Sequence, residues 1–239
     1  KHEGTRRAYC MNSDVYWDYT KRIVTALAKA LGPHPSLVAW QIDNGLGGHL
    51  TEASFNEETR GDWINWLRAK YETIGRLNDL MGTRFWTQTV TRFEDVPMPM
   101  AAPTVHNPAL VIDWMRFSSD TIVAYARMQA DLLHELAPGI PVTQNLRALT
   151  RKFDHFDMAE VLDFVSVDSN ATINTKSAEL ACEIDMMRSL KKTGIRTPDG
   201  ESGFWVIEQK ANNVDWQEVN SLVRPGVVRM FTHQLVSRG

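Results

Sequence analysis

Two short apolar runs of this sequence end in side chains that could do chemistry. The run LVAWQI leads into Asp43 and Asn44, and the run FWVI leads into Glu208. An amide at such a position can bind a hydroxyl group, and a rigidly held carboxylate can act as a nucleophile or exchange a proton. The residue after Asn44 is Gly45, which has no side chain to do either. The sequence therefore raises the question of how a site could work with a glycine beside its asparagine.

Helices and strands alternate along the chain around these residues. Strands are predicted at 37–43, 141–145, 163–168 and 204–208. Helices are predicted at 14–31, twice between 55 and 82, and at about 107–136, 176–192 and 225–236, with residues 83–106 as a proline-punctuated loop. This alternation is typical of a parallel sheet with helical crossovers.

Polar residues follow every predicted strand, as Asp43-Asn44, Thr143-Gln144-Asn145, Asp168-Ser169-Asn170 and Glu208-Gln209. In a (β/α) barrel the active site lies at the carboxyl ends of the strands, where such residues gather. Each group alone could equally cap and solvate a loop, but four successive groups favour a shared site. The chain is therefore predicted to be an α/β protein of the TIM-barrel type.

Composition excludes several other classes of protein. The 239 residues are 43% apolar with a net charge of −3, and no Lys/Arg-rich run marks a nucleic-acid binder. No apolar stretch is long enough to span a membrane, and no apolar segment follows the basic residues near the start as in a signal peptide. Two cysteines exclude a disulfide scaffold. We therefore expect a protein of the reducing cytoplasm that binds neither nucleic acid nor membrane.

Several stretches, in order and over nearly all 239 residues, resemble the catalytic barrel of glycoside hydrolase family 42, the β-galactosidases. The stretch AWQIDNGLGGH resembles the fourth-strand motif, which in the family reads Asp-Asn-Glu-Tyr-Gly-Cys-His. The others are RRAYC, WLRAKYETIGRLNDLMGTRFWTQ, NPALVIDWMRFSSDTI, DFVSVDS and FWVIEQKANNVDW. The resemblance implies a (β/α)8 barrel of which residues 1–239 form one partial catalytic domain, covering roughly the fourth to seventh strands.

The same resemblance implies a retaining exo-glycoside hydrolase that cleaves terminal β-D-galactosides. Glu208 falls at the position of the nucleophile, and Asn44 at that of the residue which binds the sugar 2-hydroxyl. Arg6 matches a sugar-binding arginine, although Arg7 beside it leaves the register open by one residue. Two tryptophans match aromatic positions of the sugar pocket, and one asparagine takes the place of a tyrosine that supports the nucleophile: Trp86, Trp216 and Asn170.

The family's acid/base glutamate is replaced here by Gly45, and the tyrosine that follows it by Leu46. Gly45 could be an engineered knockout, the mark of a natural branch, or a sign of sugar binding without efficient hydrolysis. Because several positions change together, we favour the natural branch. Glu52 is then the first candidate for the missing acid/base, and His49 and Glu57 are the others. The alternative function is a catalytically weak or truncated sugar-binding relative.

A zinc site that the family builds from cysteines is also absent. Cys10 matches one ligand, but Ser54, Asn56 and Thr59 occupy the positions of the other three. One thiolate does not make a tetrahedral zinc site, so we expect neither metal nor another cofactor.

The resemblance further implies a carbohydrate substrate and a homo-oligomer, with a trimer as the family's assembly. Four predicted strands are half of an eight-stranded barrel, and a half barrel leaves sheet edges unpaired. Either the remaining strands were removed, or the half barrel pairs with another copy; the sequence leaves both open.

Overall fold

The computed structural model describes residues 9–48, 54–170, 172, 174–191, 203–210, 220 and 222–238. Its helices are α1 (Asp14–Leu31), α2 (Glu57–Tyr71), α3 (Ile74–Met81), α4 (Pro108–Leu136), α5 (His155–Val161), α6 (Ser177–Ser189) and α7 (Val227–Arg238). Its strands are β1 (Trp40–Gln41), β2 (Val142–Thr143), β3 (Asn145–Leu146), β4 (Ser166–Ser169) and β5 (Trp205–Gln209).

Helix ends follow local signals in the sequence. The Asn56 side chain accepts a hydrogen bond from the backbone N–H of Thr59 and so caps α2. Gly82 ends α3 in the left-handed conformation that glycine adopts without steric cost. The loop between α3 and α4 contains two short 3₁₀ turns, at Phe85–Thr87 and Phe93–Asp95. Helix α5 was not predicted, although Asp154 caps it.

Every neighbouring pair of strands is parallel, as predicted, but the expectation of one continuous sheet is wrong. Strand β1 pairs with β2 in one sheet, and β3, β4 and β5 pair in that order in another. The predicted strand at 141–145 contributes to both sheets, because its backbone ladder changes partner at Gln144. There the Thr143 hydroxyl donates to the carbonyl of Phe164, and the Ser166 hydroxyl donates to the carbonyl of Gln144. Side chains thus bridge the break in the ladder.

Two apolar clusters hold these elements together, and α4 contributes to both. The larger cluster lies between the strands and the surrounding helices, and it includes Ile42, Ile122, Tyr125, Leu146, Met158 and Val167. The smaller one lies between α2, α3 and the first half of α4, and it includes Trp63, Leu67, Leu77, Trp114 and Phe117. Burial of the aromatic and branched side chains in these two clusters is the main contribution to the stability of the fold, and it thereby holds the strand ends in place.

One face of α1 remains open in the part of the chain that the structure describes. Val15, Tyr19, Ile23 and Leu27 recur every four residues on this helix and are each exposed by 44–62%. Such a row is an apolar stripe that normally faces another element. It matches the sequence-based expectation of an incomplete barrel. Among the described residues, no helix is long and apolar enough to cross a membrane.

Candidate active site at the carboxyl ends of the strands

Asn44 and Glu208 lie in contact at the carboxyl ends of β1 and β5. The Asn44 Nδ2 donates to Glu208 Oε1 at 3.5 Å, and both side chains are exposed. The two residues are far apart in the sequence, so it is the fold that brings them into contact. The sequence-based expectation that these two residues share one site is consistent with this geometry.

Asn145 joins the strand ends from below and is 1% exposed. Its Nδ2 donates to Asn44 Oδ1 at 2.9 Å and to Asp168 Oδ2 at 2.5 Å. Its Oδ1 accepts the backbone N–H of Gly45 at 2.8 Å. One buried amide therefore ties β3 to the residues that follow β1 and to β4.

Asp168 brings a second carboxyl group beside Glu208, because the two residues are partners in the β4–β5 ladder. Burial raises the pKa of Asp168 to about 6, with a further contribution from the negative charge of Glu208. The hydrogen bond from Asn145 and the positive charge of Arg147 act in the opposite direction. The Asp168 Oδ1 is enclosed and has no hydrogen-bond partner in the described part of the chain. The site thus holds two carboxyl groups with unequal environments.

The turn after β1 holds several residues at positive φ. Gly45 has φ +64°, and its neighbours Asp43 and Gly47 have φ +39° and +71°. A residue with a Cβ is disfavoured by roughly 1–2 kcal/mol in this left-handed region. A Cβ at Gly47 would also stand 3.0 Å from that of Lys152. The turn after β1 is therefore built around glycine.

Leu46 is buried in the larger apolar cluster at 4% exposure. The side chain that replaces the expected tyrosine therefore belongs to the core. Asn170 comes directly after β4 and is half-buried. That position is next to the strand end, and its role in sugar binding stays a prediction.

Trp86 lies on the loop between α3 and α4, where its ring stacks on Phe85 with centroids 4.9 Å apart. Trp86 has φ +55° and is 66% exposed. An exposed aromatic pair on a left-handed backbone is available for contact with a ligand or another chain. Its assignment to the sugar pocket stays a prediction.

The remaining predicted site residues lie outside the described residues. They are Arg6 with its alternative Arg7, Trp216, and two of the candidate acids, His49 and Glu52. The third candidate, Glu57, is exposed in the first turn of α2.

The positions that match the family's zinc ligands are polar neighbours in the fold. The Cys10 Sγ lies 3.7 Å from Asn56 Oδ1 and 3.4 Å from Thr59 Oγ1. The Thr59 hydroxyl donates to Asn12 Oδ1 at 3.2 Å. Hydrogen bonds thus join the side chains here, and the donor set of one thiol with amide and hydroxyl oxygens does not suit zinc. No cluster of three or more His, Cys, Asp or Glu residues that could hold a metal occurs in the described ranges.

Sequence reasoning missed two residues of the site as participants, Asn145 and Asp168. Both were noted as polar strand ends, which was the available signal. The sequence does not show that these strand ends lie close together, because the contacts join residues 23 and 101 positions apart.

Parallel strands that alternate with helices and bring polar side chains together at their carboxyl ends define the (β/α)-barrel class. The profile of the β-galactosidase family, glycoside hydrolase family 42, matches residues 1–239, and the chain belongs to that family.

Known relatives agree with this assignment. A β-galactosidase of Thermus thermophilus is 34% identical over 248 residues, which is 99% of this chain and 38% of that protein. The β-galactosidase bgaB of Geobacillus kaustophilus is 31% identical and is covered over 34% of its length. The structure superimposes on the β-galactosidase of the haloarchaeon Halorubrum lacusprofundi with a TM-score of 0.89 at 29% identity, covering all of this chain and 37% of the other. The chain therefore spans somewhat more than a third of each of these relatives.

Proposed function

We propose that this chain forms part of a retaining exo-glycoside hydrolase that cleaves terminal β-D-galactosides, with Glu208 as the nucleophile. The observation that carries the proposal is the contact of Asn44 Nδ2 with Glu208 Oε1 at 3.5 Å. A strand-end carboxylate beside an amide is the arrangement that attack on an anomeric carbon and recognition of the 2-hydroxyl require. The β-galactosidase names of the relatives support the choice of sugar.

In the proposed reaction, Glu208 attacks the anomeric carbon, the bond to the leaving oxygen breaks, and a glycosyl ester forms. Water then attacks the ester and releases the sugar with its configuration retained. The exposed carboxylate of Glu208 is open to a substrate, and the donor from Asn44 disperses its charge. A hydrogen bond from Asn44 to the 2-hydroxyl would strengthen as positive charge develops on the sugar ring.

A second carboxyl group has to protonate the leaving oxygen and activate water, and Gly45 does not supply it. We propose Glu52 for this role, with His49 and Glu57 as the other candidates. The joint change of Gly45, Leu46, Asn170 and the cysteine positions favours a natural branch over a single substituted residue. Four further residues complete the proposed sugar site: Arg6, Trp86, Asn170 and Trp216.

The alternative is a catalytically weak or inactive relative that keeps the sugar site. The turn after β1 favours it, since a turn built around Gly45 accommodates an acidic side chain poorly. The two functions differ in whether a covalent glycosyl-enzyme forms.

A 2-deoxy-2-fluoro aryl β-galactoside tests the proposal directly, because its glycosyl ester with a nucleophile breaks down slowly. We expect mass spectrometry of the full-length protein to find the label on the peptide that contains Glu208, and Glu208→Gln to prevent labelling. Glu135→Gln is the matched control, since Glu135 is an exposed residue of α4. A label on another residue would refute the nucleophile assignment. Galactoside binding without any label would favour the alternative function.

The remaining features of the proposal concern the whole protein. Residues 1–239 are proposed as one partial barrel domain of a cytoplasmic homotrimer. Light scattering of the full-length protein after size exclusion measures the number of subunits, and any mass other than three subunits would contradict the trimer.

A further inference from the structure

We infer that Asn145 is a positioning residue, which orients the amide of Asn44 so that its Nδ2 faces Glu208. The inference rests on the proposed function of Asn44 and Glu208, and it adds a residue that itself does not touch the sugar. Asn145 is 1% exposed and lies at the start of β3, beneath the strand ends.

Two groups fix the amide of Asn145, the backbone N–H of Gly45 and the carboxyl group of Asp168. The backbone N–H of Gly45 can only donate, so the atom 2.8 Å from it is the Oδ1 of Asn145. The other end of the Asn145 amide is then its Nδ2, which donates to Asp168 Oδ2 at 2.5 Å. If the Asn145 amide turned over, an N–H would face an N–H and an oxygen would face an oxygen.

The orientation of Asn145 then determines that of Asn44. The second N–H of Asn145 Nδ2 points at Asn44 at 2.9 Å, so Asn44 must present its Oδ1 to it. The Nδ2 of Asn44 is therefore left for Glu208, 3.5 Å away. Turning the Asn44 amide over would set its oxygen against the Glu208 carboxylate and leave a buried donor of Asn145 without an acceptor, which is unfavourable on both counts.

The hydrogen bonds that run from Asp168 through Asn145 to Asn44 have a chemical consequence for the proposed reaction. With its Oδ1 held by Asn145, Asn44 directs its Nδ2 toward the nucleophile. A donor fixed in advance costs no reorganisation when charge develops on the sugar. Asn145 therefore contributes to catalysis through the 2-hydroxyl, and its effect should vanish on a sugar that lacks this group.

The test compares kcat/KM for an aryl β-galactoside with that for its 2-deoxy analogue in the full-length protein. The variants are Asn145→Asp, which keeps the shape and the acceptor for Gly45 but loses the donors, and Asn44→Ala. We expect each to reduce the preference for the 2-hydroxyl roughly tenfold or more, and the double variant to reduce it no further. Asn78→Asp is the matched control, because the Asn78 amide makes similar bonds to Val90 in the loop after α3.

Two variants of Asp168, which accepts a hydrogen bond from Asn145, distinguish a loss of positioning from a folding defect in Asn145→Asp. Asp168→Asn retains an oxygen that can accept from Asn145 and should keep most of the 2-hydroxyl preference. Asp168→Leu retains none and should lose it. If Asn44→Ala lowers the preference but Asn145→Asp and Asp168→Leu leave it at the parent value, the positioning role is refuted.

Failure of the proposed function would have a different signature. In that case, Glu208→Gln would not impair turnover, or the parent protein would not turn over galactosides at all. Calorimetric binding of methyl β-galactoside and its 2-deoxy analogue then still decides the positioning role. A preference for the 2-hydroxyl that disappears in Asn145→Asp but persists in Asn78→Asp supports it, and any other pattern contradicts it.

Discussion

Asn44 Nδ2 lies 3.5 Å from Glu208 Oε1, although the two residues are 164 positions apart and belong to different sheets, Asn44 following β1 and Glu208 lying on β5. Three strand spacings of ~4.8 Å would hold β1 and β5 about 14 Å apart in a flat arrangement. Their side chains therefore meet because the strands curve around a common axis, as the wall of a barrel does. The change of ladder at Gln144 lies in the middle of this curve.

The pKa of Asp168 predicts how this residue changes stability with pH. The folded carboxyl titrates near pH 6 and the unfolded one near 3.8, so the native state holds its proton more tightly. Below pH 3.8 the shift changes nothing; between 3.8 and 6 the free energy of unfolding falls as pH rises, and above 6 the loss is constant. Two pH units correspond to at most ~3 kcal/mol, and about 1–2 kcal/mol is expected after solvent screening.

Asp168→Asn should therefore gain about 1–2 kcal/mol relative to the parent between pH 4 and pH 7, measured by urea unfolding at both values. The groups that act on the Asp168 carboxyl are Glu208, Arg147 and Asn145. Because the charge of Glu208 contributes to the raised pKa, the gain should shrink in a Glu208→Gln background. An equal effect of Asp168→Asn at both pH values would contradict the shift.

Much of the fold could be predicted from local patterns. The bounds of α1 match the sequence prediction, and α4 begins one residue after the predicted start, with Asn107 as its cap. Helix α5 was missed because seven residues are too few for a helical period to stand out, although Asp154 was a visible capping signal. The division of one predicted strand at Gln144 depends on hydroxyl groups of other strands, and no local pattern contains them.

The site could be predicted only as far as strand-end position carries information. Asn44 and Glu208 were singled out as strand-end residues, their roles were taken from the family resemblance, and the two side chains are in contact. Asn145 was not singled out, since a buried asparagine owes its role to partners from two other segments, the turn after β1 and strand β4. The left-handed backbone of Gly45 could not be predicted from the sequence either, because glycine adopts positive and negative φ about equally readily.

A buried carboxylate is predicted to fasten α2 to α4. Asp113 of α4 is 2% exposed, accepts a hydrogen bond from the Tyr71 hydroxyl at 2.5 Å, and forms an ion pair with Lys70. Asp113→Ala should lower the free energy of unfolding by about 2–4 kcal/mol, because it leaves these donors without their acceptor. Tyr71→Phe removes one donor only and should cost about 1–2 kcal/mol. Urea unfolding measures both, and a larger loss in Tyr71→Phe than in Asp113→Ala would contradict the assignment.

The surroundings of Cys10 predict that no zinc is bound there. One thiol with Asn56 and Thr59 at 3.7 Å and 3.4 Å lacks the ligands of a tetrahedral site. Elemental analysis of the purified protein should find no stoichiometric zinc, and a chelator should leave the melting temperature unchanged. Cys10→Ser is the control, and it should alter neither result. Stoichiometric zinc that is lost in Cys10→Ser would overturn the prediction.

Gly45 predicts that hydrolysis depends on the acidity of the leaving group. An aryl galactoside with an activated leaving group needs little protonation, so Glu208 could attack it without an acid. The leaving group of lactose is a sugar, which departs as an alkoxide when no acid protonates it. Lactose should therefore react far more slowly, since positioned acid catalysis contributes ~10²–10⁴-fold. The measurement is kcat/KM on both substrates, and equal efficiency of the parent protein on the two would contradict a missing acid.

Substitutions then identify the proton donor. Gly45→Glu should raise lactose turnover, but the positive φ imposes strain of roughly 1–2 kcal/mol on any side chain there. Gly45→Ala is the matched control, because it carries the same strain without a carboxyl group and should not raise turnover. If Glu52 or His49 already donates the proton, Gly45→Glu gains little, and Glu52→Gln or His49→Ala abolishes activity on lactose. Activity on the aryl galactoside should survive the loss of that donor better than activity on lactose, because only the alkoxide needs the proton to leave.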